Sequence, residues 1–185
     1  MLFSIYNDNR TVFRLNDIAM LIGETNFESL NKRLNYYIQK GKLFNPRKGI
    51  YAKQAYSMNE LACLLYTPSY ISLEFVLQQA GVIFQFNSQI TVVSYLSRTI
   101  EIEGIALSFR KIKNEILIDT FGINTDDKGV SMATPERALL DILYLNSNYY
   151  FDNLNLIDVD LIFKILPIYK SKVLTKRVTK LFNND

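Results

Sequence analysis

The chain has 185 residues, 49% of them hydrophobic, with 21 Lys/Arg against 18 Asp/Glu and a formal net charge of +3. That length is one to two domains' worth of chain, apolar enough to bury a core. It holds no histidine and one cysteine, which excludes the usual zinc sites, Ser-His-Asp and Cys-His catalysis, and any internal disulfide.

Residues 11–15 read as a short strand. Asn16 then stands where an N-cap belongs, with Asp17 in the first turn. Ile18, Leu21 and Ile22 make one apolar helical face, and Gly23 closes that helix. Thr25-Asn26-Phe27-Glu28 is a capping box opening a second helix that runs to about Lys40. Phe27, Leu30, Leu34, Tyr37 and Ile38 fall on one side of it; Ser29, Lys32, Arg33, Tyr36 and Lys40 fall on the other. Two apolar pairs, Leu43-Phe44 and Ile50-Tyr51, then flank Asn45-Pro46-Arg47-Lys48-Gly49, which predicts a hairpin with a basic tip. Helix, turn, helix and hairpin in this order predict a winged helix-turn-helix over residues 1–55.

Ser57-Met58-Asn59-Glu60 is a second capping box, and Thr67-Pro68 breaks the helix it opens. Cys63, inside the apolar run Leu61-Ala62-Cys63-Leu64-Leu65, reads as a small core residue. Residues 72–80 predict a helix closed by Gly81. From residue 82 to 133 the pattern turns β-rich, with strands expected near 90–96, 105–112, 116–121 and 130–133, and a turn cluster at 124–129. Thr134 caps a broadly apolar helix with Pro135 in its first position. Helices near 158–166 and 171–182 follow, with Pro167 between them. Residues 56–185 are therefore expected to form a mixed α+β domain, a small sheet framed by helices.

The charge is uneven. Residues 1–55 carry nine Lys/Arg against four Asp/Glu, residues 56–165 seven against thirteen, and residues 166–185 five against one. A basic head beside an acidic middle predicts an anionic partner for the head. Recognition helices present polar or basic side chains to base edges, a role that Ser29, Lys32, Arg33 and Tyr36 suit, with Asn26 near the helix start. Arg47 and Lys48 suit phosphate contacts. The competing reading is an ordinary solvated helix face. Near the C-terminus, Lys172, Lys176 and Lys180 recur every four residues with Arg177 beside them, a possible anion-contacting stripe or a solvated face that suits the helix dipole.

Three segments resemble the AbiEi-type antitoxins, the transcriptional regulators of type IV toxin–antitoxin modules. They are Phe13-Arg14-Leu15-Asn16-Asp17-Ile18-Ala19 with Gly41-Lys42-Leu43 and Lys48-Gly49-Ile50-Tyr51-Ala52; Thr67-Pro68-Ser69-Tyr70-Ile71-Ser72-Leu73-Glu74 with Leu77 and Gly81-Val82-Ile83; and Met132-Ala133-Thr134-Pro135-Glu136-Arg137-Ala138-Leu139-Leu140-Asp141. The resemblance implies a phage-defence protein that represses its own operon through a winged-helix head. It also implies a C-terminal domain that counteracts a nucleotidyltransferase-like toxin without a stable complex. Tyr70-Ile71-Ser72 reads as a connection between helices, and Arg137 with Asp141 as an i, i+4 pair.

An enzyme is not expected. The alternatives are a nuclease, using Asp126-Asp127-Lys128 or Glu101 with Glu103, and a one-component regulator whose second domain senses a ligand. No cofactor or metal is implied. The first ten residues lack the basic-then-apolar pattern of a signal peptide. No apolar run reaches the roughly 18–20 residues that cross a bilayer. A soluble, cytoplasmic protein with no membrane partner is expected.

Overall fold

Contacts divide the chain into two units, Met1–Leu65 with Asp127–Gly129, and Tyr66–Asp126 with Val130–Asp185. The computed structural model describes residues 1–85 and 87–182. The architecture is mixed α+β, with one three-stranded and one six-stranded sheet. No helix among the described residues is long and apolar enough to cross a membrane.

The first unit runs α1 (Leu2–Asn7), β1 (Val12–Arg14), α2 (Leu15–Ile22), α3 (Phe27–Gln39), β2 (Phe44–Arg47), β3 (Ile50–Ala52) and α4 (Met58–Leu65). β3 is the middle strand, antiparallel to both β1 and β2. Ile5, Phe13, Ile18, Leu30, Leu34, Leu43 and Tyr51 close the core between helices and sheet. α2 begins at Leu15, not after Asn16, because Asp17 reaches back and its carboxylate accepts the Arg14 amide at 2.7 Å. α3 begins one residue later than the sequence suggests. Asn26, not Thr25, is its cap, and Asn26 Oδ1 accepts from the Ser29 amide at 3.0 Å.

The charge pattern ends at residue 55, but the first unit continues through α4 for a reason that lies in Glu60. This residue is 5% exposed. It accepts from the Thr11 amide at 2.6 Å, the Thr11 hydroxyl at 2.9 Å and the Val12 amide at 3.3 Å. Thr11 Oγ1 in turn accepts from the Ser57 amide at 2.8 Å. Ser57 caps α4 as expected, its hydroxyl accepting from the Glu60 amide at 3.3 Å. The acid of the box, however, satisfies the start of β1 instead of its own helix.

The second unit comprises β4 (Ser69–Ile71), α5 (Glu74–Gln79), β5 (Ile90–Ser94), β6 (Arg98–Ile102), β7 (Ile105–Lys111), α6 (Asn114–Leu117), β8 (Ile123–Thr125), β9 (Ser131–Ala133), α7 (Pro135–Leu145), α8 (Val159–Ile165), a 3₁₀ turn (Leu166–Tyr169) and α9 (Lys172–Phe182). Its sheet runs β6-β7-β5-β4-β9-β8. β4 lies antiparallel to β5 and parallel to β9. Tyr70 and Ile71, expected with Ser72 to connect two helices, thus belong to an interior strand, and the helix after them starts at Glu74. Residues 116 and 117, expected to open a strand, end helix α6, with Ile116 and Leu117 buried. A short apolar run does not distinguish these states by periodicity. Asn124 and Thr125, expected to be turn, belong to β8.

α7 is buried over eight consecutive residues, from Glu136 to Leu143, and packs on α5, α8 and α9. A helix buried all round needs partners for every charge it carries. Arg137 and Asp141 are both 0% exposed, with Arg137 Nε 3.7 Å from Asp141 Oδ1. Asp141 accepts from the hydroxyls of Ser72 at 2.7 Å, Tyr169 at 2.6 Å and Tyr70 at 3.1 Å. Arg137 donates to the carbonyls of Ile116 at 2.7 Å and Phe121 at 2.9 Å. The Tyr70 and Tyr169 rings lie 5.5 Å and 5.3 Å from its guanidinium carbon. Burial pushes the Asp141 carboxyl above its ordinary range, while Arg137 and the three hydroxyls pull it back. Gly122 permits this approach: at φ +79°, a Cβ there would lie 2.9 Å from Ile165 Cδ1 and 3.1 Å from Arg137 Cβ.

Removing one partner of a buried ion pair strands the other, at about 3–5 kcal/mol. Losing one hydroxyl bonded to a charged group costs about 1.5–3 kcal/mol. Asp141→Asn should therefore lower the urea unfolding midpoint further than Tyr169→Phe. The reverse order would show that Asp141 is not the charge Arg137 depends on.

Candidate nucleic-acid interface

α2, the turn at Gly23, α3 and the β2–β3 hairpin carry the candidate contact residues of the first unit. Gly23, left-handed at φ 67°, ends α2 sharply, and only glycine adopts that conformation without strain. α3 buries Leu30 and Leu34 against the core. That leaves Lys32, Arg33, Asn35 and Tyr36 outward, with Tyr36 55% exposed. The Tyr51 hydroxyl donates to Asn31 Oδ1 at 3.1 Å, which fixes α3 against β3. Burial raises the Tyr51 phenol above its ordinary value.

In the hairpin, Pro46 is tolerated because β2 is an edge strand. Asn45 Nδ2 donates to the Arg47 and Ile50 carbonyls at 3.0 Å and 2.6 Å, bracing the irregular register between Phe44 and Arg47. Gly49 turns the chain at φ 80°. Lys48 is exposed at this tip, whereas Arg47 lies half-buried in β2 itself. The two bases expected together at the tip are thus divided between tip and strand.

The expected contact residues are not equivalent. Lys32 pairs with Glu28 at 2.8 Å across one helical turn, and Arg33 pairs with Glu24. The Asn26 amide and Arg33 hold the Glu24 carboxyl below its ordinary value. Exposed pairs of this kind are worth about 0–1 kcal/mol, so an incoming anion or base edge exchanges them at little cost. Asn26 Oδ1 is committed to capping α3, and Ser29 is half-buried. Lys32, Arg33, Tyr36 and Lys48 are exposed, as is Asn26. Lys40 Nζ sits 5.8 Å from the Tyr36 ring centre and extends this cationic-aromatic face.

Other bases of the head serve the fold. Arg10 grips Asp8 through Nε at 3.0 Å and a terminal nitrogen at 2.8 Å, and this bond holds the Asp8 carboxyl below its ordinary value. Lys53 Nζ donates to the Tyr6 and Asp8 carbonyls at 3.3 Å and 2.5 Å, and burial lowers its pKa. The net charge of the segment therefore overstates the charge available to a partner.

In the second unit, Lys172, Lys176 and Lys180 are exposed along α9. Arg177 departs from that stripe, donating to the Leu143 carbonyl at 2.6 Å. The nuclease candidates do not converge. Asp126 Oδ1 accepts the Val130 amide at 2.8 Å and closes a turn. Glu101 lies on β6, but Glu103, at φ 52°, lies with Gly104 in the β6–β7 turn. Among the described residues no group of three or more His, Cys, Asp or Glu side chains is placed to hold a metal.

Comparison with known proteins finds no matching family model and no matching curated protein.

The local geometry gives a direct test of the α3 start. Asn26→Ala removes the cap and should lower unfolding stability by about 1 kcal/mol. Asn26→Asp, which keeps an acceptor in place, should restore it. Equal loss in both variants would assign Asn26 some role other than capping.

Proposed function

We propose that the first unit is a winged helix-turn-helix that binds duplex DNA. We further propose that the protein is a transcriptional repressor acting as the antitoxin of a type IV toxin–antitoxin module. The observation that carries the DNA-binding half is the outward face of α3, where Lys32, Arg33 and Tyr36 project beside a hairpin with Lys48 at its tip. Arg and Lys match the acceptor edges of guanine, while hairpin bases match phosphates. The antitoxin half rests on the three segments that resemble AbiEi-type regulators. On this reading the protein represses its own operon and counters a nucleotidyltransferase-like toxin in the cytoplasm, without a stable complex. Growth rescue on coexpression with a nucleotidyltransferase-like toxin of the same operon tests that half. Failure of rescue with DNA binding intact would leave a plain repressor.

With Arg10 and Lys53 engaged internally, roughly four phosphates are neutralised, and log K should fall about 3–4 units per decade of salt. The double variant Arg47→Ala, Lys48→Ala should weaken operator and random duplex alike and flatten that slope, read by fluorescence anisotropy. A salt-independent affinity would exclude this surface as the phosphate contact.

Base readout is separable from phosphate binding. A good bidentate base contact is worth about 1–3 kcal/mol of discrimination. Lys32→Ala and Arg33→Ala should each compress the ratio of operator to random-sequence affinity. If both variants keep the wild-type ratio, α3 does not read sequence through its basic residues.

A further inference from the structure

Two small depressions of the second unit have one lining residue in common, Tyr149. One, of about 240 Å³, lies where the end of α7 meets α9 and is lined by Ser147, Tyr149, Arg177 and Lys180 with Leu143 and Leu181. The other, of about 340 Å³, is lined by Gln85, Asn148, Tyr149, Tyr150 and Asp152 with Ile83. Their linings differ in charge. The first has two cations and no acid; the second has an acid and two primary amides.

Arg177 and Lys180 stand three apart on α9, so their like charges face the same side of the helix, an arrangement unfavourable unless an anion compensates it. Among the described residues neither has a carboxylate partner. The Leu143 carbonyl accepts from Arg177 at 2.6 Å and fixes the guanidinium at the pocket wall. A guanidinium carries five donors, so one such bond positions it without exhausting it. In the second depression, the Phe84 amide donates to Asp152 Oδ2 at 2.7 Å and orients that carboxylate. The Tyr149 ring is itself steadied by Phe151, with centroids 5.2 Å apart.

We propose that this paired depression binds a nucleoside 5′-phosphate, with the phosphate on Arg177, Lys180 and Ser147 and the nucleoside against Tyr149. A phosphate dianion matches two adjacent cations and a hydroxyl donor. A planar base matches an aromatic face. Gln85 and Asn148 each offer an amide donor and acceptor to a base edge, and Asp152 accepts from a sugar hydroxyl or an exocyclic amine. The charge difference between the two depressions favours a ligand that is anionic at one end and donor-rich at the other. DNA binding by the first unit plays no part in this assignment.

The test is isothermal titration of the full chain, without DNA, against the four common nucleoside 5′-monophosphates, their nucleosides and inorganic phosphate. At least one monophosphate should bind one to one, and its nucleoside about tenfold more weakly, as expected for lost charge-assisted hydrogen bonds. Lys180→Gln should weaken the nucleotide about tenfold and leave the nucleoside unchanged. Tyr149→Leu should weaken nucleotide and nucleoside about tenfold and leave inorganic phosphate unchanged. Lys180 is exposed, so its variant keeps the fold, and thermal melting of both variants checks this. No nucleotide binding at millimolar concentration overturns the proposal, as does wild-type affinity in Lys180→Gln. Inorganic phosphate binding as tightly as nucleotide overturns the nucleoside half. The double variant Lys32→Ala, Arg33→Ala should bind nucleotide normally, so failure of DNA recognition and failure of this site are told apart.

Discussion

Asp141 and Arg137 are shut away from water on a helix with no exposed side through its middle, and the second unit is arranged around satisfying them. A buried carboxylate and guanidinium so placed are tolerable only when nearly every lone pair and donor has a partner. The partners come from far along the chain: Tyr70 from an interior strand, Ser72 just beyond it, the Ile116 and Phe121 carbonyls around α6, and Tyr169 from the 3₁₀ turn. The cluster therefore joins the sheet, the central helix and the C-terminal segment through directional bonds. Apolar packing around it supplies bulk stability; the cluster specifies which strand and which turn meet α7.

The first unit repeats the device at smaller scale. Glu60 brings a carboxylate from α4 to the amides that open β1, and the Thr11 hydroxyl passes the connection back to Ser57. Both units thus place an acid of a helix's own sequence pattern in tertiary service. In each case the local alternative, a capping box or an i, i+4 pair, is worth far less than satisfying a buried amide or guanidinium.

The cations divide along the same line. Arg10, Lys53, Arg137 and Arg177 are held by carbonyls or carboxylates of the fold. Lys32, Lys48, Lys172, Lys176 and Lys180 reach solvent. Where a cation is needed inside, as at Arg137, the planar fork of Arg meets several acceptors at once, whereas a Lys in solvent is stable as a hydrated point charge. The cations that reach solvent are therefore mostly lysines, with Arg14, Arg33, Arg98 and Arg110 exposed beside them.

Local sequence determined much of the layout. Gly23 and Gly41 stop α2 and α3, Thr134-Pro135 starts α7, Ser57 starts α4, and the apolar spacing of α3 sets which side is inward. These are short-range effects, decided by backbone freedom, capping hydrogen bonds and helical period. Tertiary structure decided the rest. Residues 69–71 became an interior strand because β5 and β9 pair with them on either side, partners that lie far away in sequence. Residues 116 and 117 became helical where the Ile116 carbonyl meets Arg137. Arg137 and Asp141 read as no more than an i, i+4 pair because spacing reports adjacency and not burial. Ser147 and Tyr149 share one loop, but Arg177 lies about thirty residues on, and the three carry no shared motif. Only the packing of α9 against α7 brings them to one pocket, since a site built from distant segments leaves no periodic trace in any one of them.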